Sequence, residues 1–333
     1  MKISASIYSN PDQELTDIIK EIDKHAIDFI HIDCNDNYEV FDDIKQIREF
    51  TAKPIDLHII SSEPEKFYDL IEEVKPEFVT FQYENISGKL NIPEGITSEL
   101  GLAITTETSL DVFDDYADKF SFIMLMATTP GQSSGIFNKT NFKRIRSFRK
   151  KYPAKEIHVD GGVNGEVSFI LRNIGVSAAV SGSFLFKNDI GSALLDLKLN
   201  ITDSSYRVKD FMIPPEEIHI IKPENCNFTN ILKSIEKNRL GFTIITDENK
   251  KLKGIVTNAD VRKGLLKNIQ DFNKIKVEDV INFNPVRVNE NFTVKKLLKF
   301  IKVQKFPINY LPVVNDENQA SGALIFYDLI KGE

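Results

Sequence analysis

The chain has 333 residues, 41% apolar and 27% charged, which suits a globular protein long enough for two domains. Its net charge of −7 leaves no basic surplus to neutralise a nucleic-acid backbone, although a local phosphate site stays open. Cys34 and Cys226 have no paired spacing, which argues against a disulfide framework or thiolate zinc site and fits a reducing cytoplasm. MKISASIYSN lacks an apolar signal core, and no run of about 18 apolar residues points to a membrane.

Along the first half, short β-branched runs alternate with amphipathic stretches. Strands are expected at 2–7, 28–33, 55–60, 78–82, 102–105, 122–126, 156–160 and 178–181. Between them lie LTDIIKEIDKHA and FYDLIEEVK, with apolar residues at helical spacing. Eight strands alternating with helices predict an α/β fold, a (β/α)8 TIM barrel rather than an open sheet. The rhythm stops near Leu199, and the polar stretch 200–205 reads as a linker. This places a barrel at 1–199 and a second, smaller α/β domain at 206–333.

The second domain repeats itself. VKDFMIPP returns as VEDVINFNP, and FTIITDENKKLKGIVTNADVRKGL returns as LPVVNDENQASGALIFYDLIKG. Asp247 then matches Asp316, and Gly254 matches Gly322. Each copy reads as strand, turn, strand, helix, with helices upstream at 229–237 and 294–303. A unit this small leaves an apolar face bare, so the two copies are expected to pack together.

In a barrel, the C-terminal ends of the strands face the active-site mouth. That rule selects Ser6 on strand one, His31 and Asp33 on one face of strand two, His58 on strand three and Asp160 on strand seven. Two imidazoles and two carboxylates can enclose one divalent cation, and an N/O set suits Zn, Fe, Mn or Co better than Ca or Mg. Each residue alone has a plainer reading. A single strand histidine is usually packing, Asp33 could cap a helix, and Asp160 could open a turn. Their joint placement is what points to chemistry. His25 reads as surface, His158 as filler beneath the site, and His219 as structural.

Gly161-Gly162 after strand seven and Ser181-Gly182-Ser183 after strand eight occupy the usual barrel phosphate position. Glycine there lets backbone N–H groups approach an anion. The loop 130–135, with Gly131, could close over the same group.

These motifs resemble the ribulose-phosphate 3-epimerase family over roughly 2–187. SASIYS is similar to PSILS, HIDCND to HVDVMDG, and DLHIISSEPEKF to DVHLMVxxPxxY. MATTPGQSSGIF is similar to MSVNPGFGGQxF, HVDGGVN to VDGGV, and SGSFLF to AGSxxF. The resemblance implies metal ligands at His31, Asp33, His58 and Asp160, and an acid/base pair at Asp33 and Asp160. It implies substrate contacts at Ser6, His58, Met126, Gly131, Gly161, Gly162, Gly182 and Ser183. Some positions depart from the pattern. Asn35 and Asn37 replace Met and Gly, Ile60 replaces a second Met, GFGGQ becomes GQSSG, and Gln82 stands where His is common. The chemistry set is intact while the wall around the sugar has changed.

The C-terminal repeat resembles a pair of CBS motifs, with GIVTNADVRKGL close to GxxTxxDxRxxL. The resemblance implies that Thr257 and Asp260 hold the ribose or phosphate of an adenine or cytidine nucleotide. In the second copy Asp328 is retained but Ile325 stands at the Thr position, so one competent site is expected. The combined expectation is a cytoplasmic homo-oligomer that epimerises a phosphorylated ketose at C3, with D-ribulose 5-phosphate to D-xylulose 5-phosphate first. The alternatives are a hexulose 6-phosphate epimerase in surface-polysaccharide supply, or a non-catalytic sugar-phosphate and nucleotide binder.

Overall fold

The computed structural model describes residues 1–10, 12–88, 90–131, 135–187, 189–198, 205–304 and 308–326. The chain divides into two compact units, Met1–Thr202 and Asp203–Glu333.

In the first unit eight strands close a barrel in sequence order: β1 (Lys2–Ser6), β2 (Phe29–Cys34), β3 (Ile55–Ile59), β4 (Phe78–Gln82), β5 (Glu99–Ile104), β6 (Phe122–Met126), β7 (Glu156–Asp160) and β8 (Ala178–Ser181). Every neighbouring pair is parallel, and β8 returns to β1. The register aligns Ser6 with His31, Asp33 with His58, and Met126 with Asp160. The chemistry-bearing side chains therefore meet at one level, at the strand ends.

Helices α1 (Leu15–Asp23), α2 (Glu39–Phe50), α3 (Tyr68–Val74), α4 (Thr140–Lys151), α5 (Gly165–Asn173), α6 (Ser183–Phe186) and α7 (Ile190–Lys198) accompany the strands. The amphipathic spacing explains them: α1 buries Ile18, Ile19 and Ile22, and α2 buries Val40, Phe41, Ile44 and Ile47. Each such side chain contributes about 1.5–3 kcal/mol on burial. Among the described residues, β4–β5 and β5–β6 are joined by 3-10 turns, Tyr83–Asn85 and Leu110–Asp115, rather than α-helices. β5 starts at Glu99, earlier than expected, because Gly101 hides the strand pattern. A Cβ there would lie 2.1 Å from the ring of its register partner Phe122.

The barrel interior is aromatic below and polar above. Phe29 and Phe78 meet at 4.7 Å between centroids, and His158 stacks on Phe122 at 4.1 Å. His158 thus fills the layer beneath the site. Ser4, Asp56 and Thr80 are buried in the same unit.

The second unit runs α8 (Val208–Phe211), α9 (Phe228–Asn238), β9 (Phe242–Thr246), β10 (Leu252–Thr257), α10 (Asn258–Lys267), β11 (Val288–Asn289), α11 (Val294–Lys302), β12 (Tyr310–Val314) and β13 (Ala320–Ile325). β9–β10 and β12–β13 are equivalent antiparallel hairpins. The two copies exchange their leading segments. Ile213, ahead of the first copy, pairs with Ala323 on β13, and Asn282, ahead of the second, pairs with Ile255 on β10. This exchange explains the matched glycines. A Cβ on Gly254 would lie 2.7 Å from the Asn282 carbonyl oxygen, and one on Gly322 would lie 2.4 Å from that of Ile213.

One detail of the expected repeat alignment is corrected. Asp247 corresponds to Asn315, not Asp316. Asp247 Oδ1 accepts from the Asn249 and Lys251 N–H groups, and Asn315 Oδ1 accepts from those of Glu317 and Gln319. The left-handed residues Lys250 and Asn318 follow at the same spacing. Turn geometry sets the register, and the identical Asp in DEN misleads by one place.

Among the described residues no helix is long and apolar enough to cross a membrane.

Candidate active site

His31, Asp33, His58 and Asp160 each offer a ligand atom, and these atoms all lie within 4.8 Å of one another. Asp33 Oδ1 sits between two imidazoles, 3.3 Å from His31 Nε2 and 3.1 Å from His58 Nδ1. The outward nitrogens are engaged as well. His31 Nδ1 donates to Asp56 Oδ2 at 2.9 Å, and Ser4 Oγ donates to the same oxygen at 2.9 Å. His58 Nε2 lies 2.9 Å from Gln82 Oε1. Both histidines are buried, while Asp33 keeps a partly open side.

The electrostatics separate the carboxylates. For Asp33, burial pushes the pKa up, but His31 and then His58 outweigh it and hold the group well below its usual range. Asp160 is raised to about 6, chiefly by burial and further by Asp33 and Asp56, against the pull of His31 and His58. Asp56 stays low because His31, with help from His158 and Ser4, overcomes its burial. His31 would be lowered by burial, yet Asp56 and Asp33 hold it well above its ordinary value.

This arrangement fits a divalent cation. Gln82 Oε1 is an acceptor, so His58 Nε2 must carry the proton facing it. In the neutral ring the Nδ1 lone pair then faces Asp33 Oδ1 at 3.1 Å. Two lone pairs at that distance require a positive charge between them or beside them. The proton drawn onto His31 answers the same demand. Two imidazole nitrogens and two carboxylate oxygens suit a borderline transition metal.

A cavity of about 390 Å³ opens beside the cluster. Its lining brings together Asp33, Asp160, Ser6, Gly131 and the phosphate-type glycines Gly161, Gly162 and Gly182 with Ser183. Gly161 and Gly162 have φ of +104° and +66°, and a Cβ on Gly162 would lie 2.4 Å from the Phe137 nitrogen. Glycine is required at both. Of the loop 130–135, residues 132–134 lie outside the described residues.

Two expected substrate contacts do not line this cavity. His58 is buried behind Asp33, and Met126 packs against Ala103, Met124 and Val180. Conversely, Tyr8, Asn35, Asn164 and Lys187 line it, and the motifs do not single them out as contacts. Asn35 stands out in the sequence only as a departure from a motif, and Lys187 follows SGSFLF by one position.

In the second unit Thr257 and Asp260 bond to each other. Thr257 Oγ1 accepts from the Asp260 N–H at 3.1 Å, and Asp260 Oδ2 accepts from the Thr257 N–H at 3.1 Å. This capping box starts α10. Asp328 lies outside the described residues.

Residues 2–186 match the model of the ribulose-phosphate 3 epimerase family, and residues 277–332 match the CBS domain model. The ribulose-phosphate 3-epimerase of Methanocaldococcus jannaschii is 26% identical over 230 residues, covering 63% of this chain and 97% of that protein. That of Buchnera aphidicola subsp. Schizaphis graminum is 29% identical over 198 residues, covering 55% and 87%. Among solved structures, CBSX2 in complex with AMP is 23% identical and covers 38% of this chain and 95% of its own, with a TM-score of 0.31. The closed barrel, the matched span and the appended repeat agree: this chain belongs to the ribulose-phosphate 3-epimerase family of carbohydrate isomerases, and it carries a CBS pair after the barrel.

Proposed function

We propose that the barrel epimerises a phosphorylated ketose at C3, with D-ribulose 5-phosphate to D-xylulose 5-phosphate as the leading substrate pair. The observation that carries this reading is a pair of carboxylates on separate strands, whose ligand atoms lie within 4.8 Å of each other and of two imidazole nitrogens, at the edge of a cavity rimmed by glycines. A proton beside a ketone is weakly acidic. Asp33, held ionised, takes it from one face of C3. Asp160, which gives up its proton less readily, returns one to the opposite face of the planar enediolate. In the reverse direction the roles exchange. His31, Asp33, His58 and Asp160 would hold a divalent ion, which when bound would polarise the ketone oxygen. Gly161, Gly162, Gly182 and Ser183 orient the phosphate, and Ser6 faces the sugar from β1.

Asn35 favours a second substrate reading. It presents an amide to the cavity where the resembled motif has methionine, which suits a ketose phosphate with a different hydroxyl pattern, such as a hexulose 6-phosphate. An adenine or cytidine nucleotide on the CBS pair would regulate the enzyme only if it also changed the affinity for the ketose phosphate. Self-association belongs to the same reading, and the exposed apolar side chains Leu266, Ile269, Phe272, Phe283 and Val303 of the second unit are available to it. Sedimentation tests that reading, with a species heavier than one chain expected.

The deciding experiment is C3 deuterium incorporation from D2O across a panel of ketose phosphates, with the divalent metal controlled. Substrates exchange, and Asp160→Asn or Asp33→Asn slows exchange by about 10²–10⁴-fold. No exchange with any ketose phosphate in the metal-loaded protein, or equal rates for wild type and Asp160→Asn, overturns the catalytic reading.

A further inference from the structure

We propose that Glu84 and Gln82 act as a positioning relay that fixes which nitrogen His58 presents to the catalytic cluster. The inference rests on the reading that the cluster holds a divalent cation. Gln82 ends β4 and is 1% exposed, so its amide must find partners inside the protein. Its Nε2 lies beside two groups that can only accept, Glu84 Oε2 at 2.5 Å and the Ala103 carbonyl oxygen at 3.4 Å. That pairing decides the direction of the amide. The nitrogen faces Glu84, and the oxygen faces His58 Nε2 at 2.9 Å.

The carboxylate at the outer end is itself held in place. The Thr105 N–H donates to Glu84 Oε1 at 2.8 Å, the Thr105 hydroxyl donates to it at 3.1 Å, and the Thr108 hydroxyl donates to it as well. Burial raises the Glu84 pKa, but these donors together with Gln82 keep it below its ordinary value. An ionised carboxylate has no proton to offer. It therefore orients the Gln82 amide in one sense only, and the amide orients the His58 ring. His58 Nε2 carries the proton and Nδ1 points inward. Gln82 and Glu84 touch no substrate in this scheme; they act through His58.

Outer partners of metal-bound histidines set tautomer and ring angle, and their loss lowers metal affinity by about 10- to 100-fold. Histidine at position 82 preserves the polarity, because one ring nitrogen can accept from His58 while the other N–H donates to Glu84. Leucine preserves the volume and removes the polarity.

Two measurements test the relay. Long-range ¹H–¹⁵N spectra of the full-length metal-free protein at alkaline pH report the His58 tautomer directly, and the proton is expected on Nε2. A proton on Nδ1 overturns the proposal. Calorimetric titration with Co²⁺ then compares variants of matched thermal stability. Gln82→Leu is expected to weaken binding by about 10- to 100-fold, with Gln82→His within about threefold of wild type. Equal affinity for wild type and Gln82→Leu overturns the proposal. If Gln82→Leu does not fold, Gln82→His and the wild-type spectrum still decide it. A wild-type protein that binds no divalent cation at all refutes the metal reading, and the tautomer measurement then tests the relay independently.

Discussion

Asp33 and Asp160 are the same side chain in opposite settings, and the setting comes from neighbours that are far apart in sequence. Asp33 lies against two imidazoles, while Asp160 is half-buried at the cavity edge with other carboxylates nearby. Residue type and strand position are legible in the chain, but the direction of each proton affinity depends on packing. The glycines behave differently. At Gly162 both the positive φ and the 2.4 Å approach to Phe137 forbid a side chain. Gly162→Ala is expected to cost about 1–3 kcal/mol in denaturant unfolding and to weaken inhibition by inorganic phosphate. Glu84 gives a pH test. Its folded pKa lies below the ordinary 4.5, so its contribution to stability is present above 4.5 and is lost as pH falls through the lower folded value. The stability advantage of wild type over Glu84→Gln should narrow as pH falls below 4.5, read from denaturation midpoints. A constant gap would mean that the charge plays no part.

Helices and strands are the most readable level, because amphipathic spacing and β-branched runs are local. Apart from β5, every barrel strand starts and ends within one residue of expectation; β5 differs in its start because Gly101 gives way to Phe122. The two 3-10 segments around β5 leave no helical period in the sequence, since three and six residues are too few to show one. At α10 the pair Thr257 and Asp260 carries a local role whether or not a nucleotide binds. Thr257→Ala should cost about 1 kcal/mol through loss of the cap, while Thr257→Ser keeps it. Nucleotide affinity measured on both variants separates cap from ligand contact. A loss in Thr257→Ala that Thr257→Ser restores, without a matching fall in stability, marks a ligand contact.

Over the whole molecule, two units of different construction share one chain. The barrel is closed by parallel neighbours, and the CBS pair is closed by an exchange of leading segments at Gly254 and Gly322. A nucleotide that binds the folded pair at about 100 times its dissociation constant should stabilise it by about 2.7 kcal/mol, seen as a raised unfolding temperature. Regulation requires more. The same nucleotide must change the affinity for the ketose phosphate, and the ketose phosphate must change nucleotide affinity by the same factor. Stabilisation with no change in either affinity would leave the pair as a binding module only.

The barrel, the repeat and the four-residue cluster are legible along the chain, because periodicity, strand-end position and motif order are properties of the linear sequence. The opposite directions of the Asp33 and Asp160 proton affinities, the Asn315 match to Asp247, the packing of Met126 against Ala103, Met124 and Val180, and the Glu84–Gln82–His58 relay arise only in the folded chain. Each of these depends on which atoms, distant along the chain, are brought within hydrogen-bonding or packing distance when the strands close.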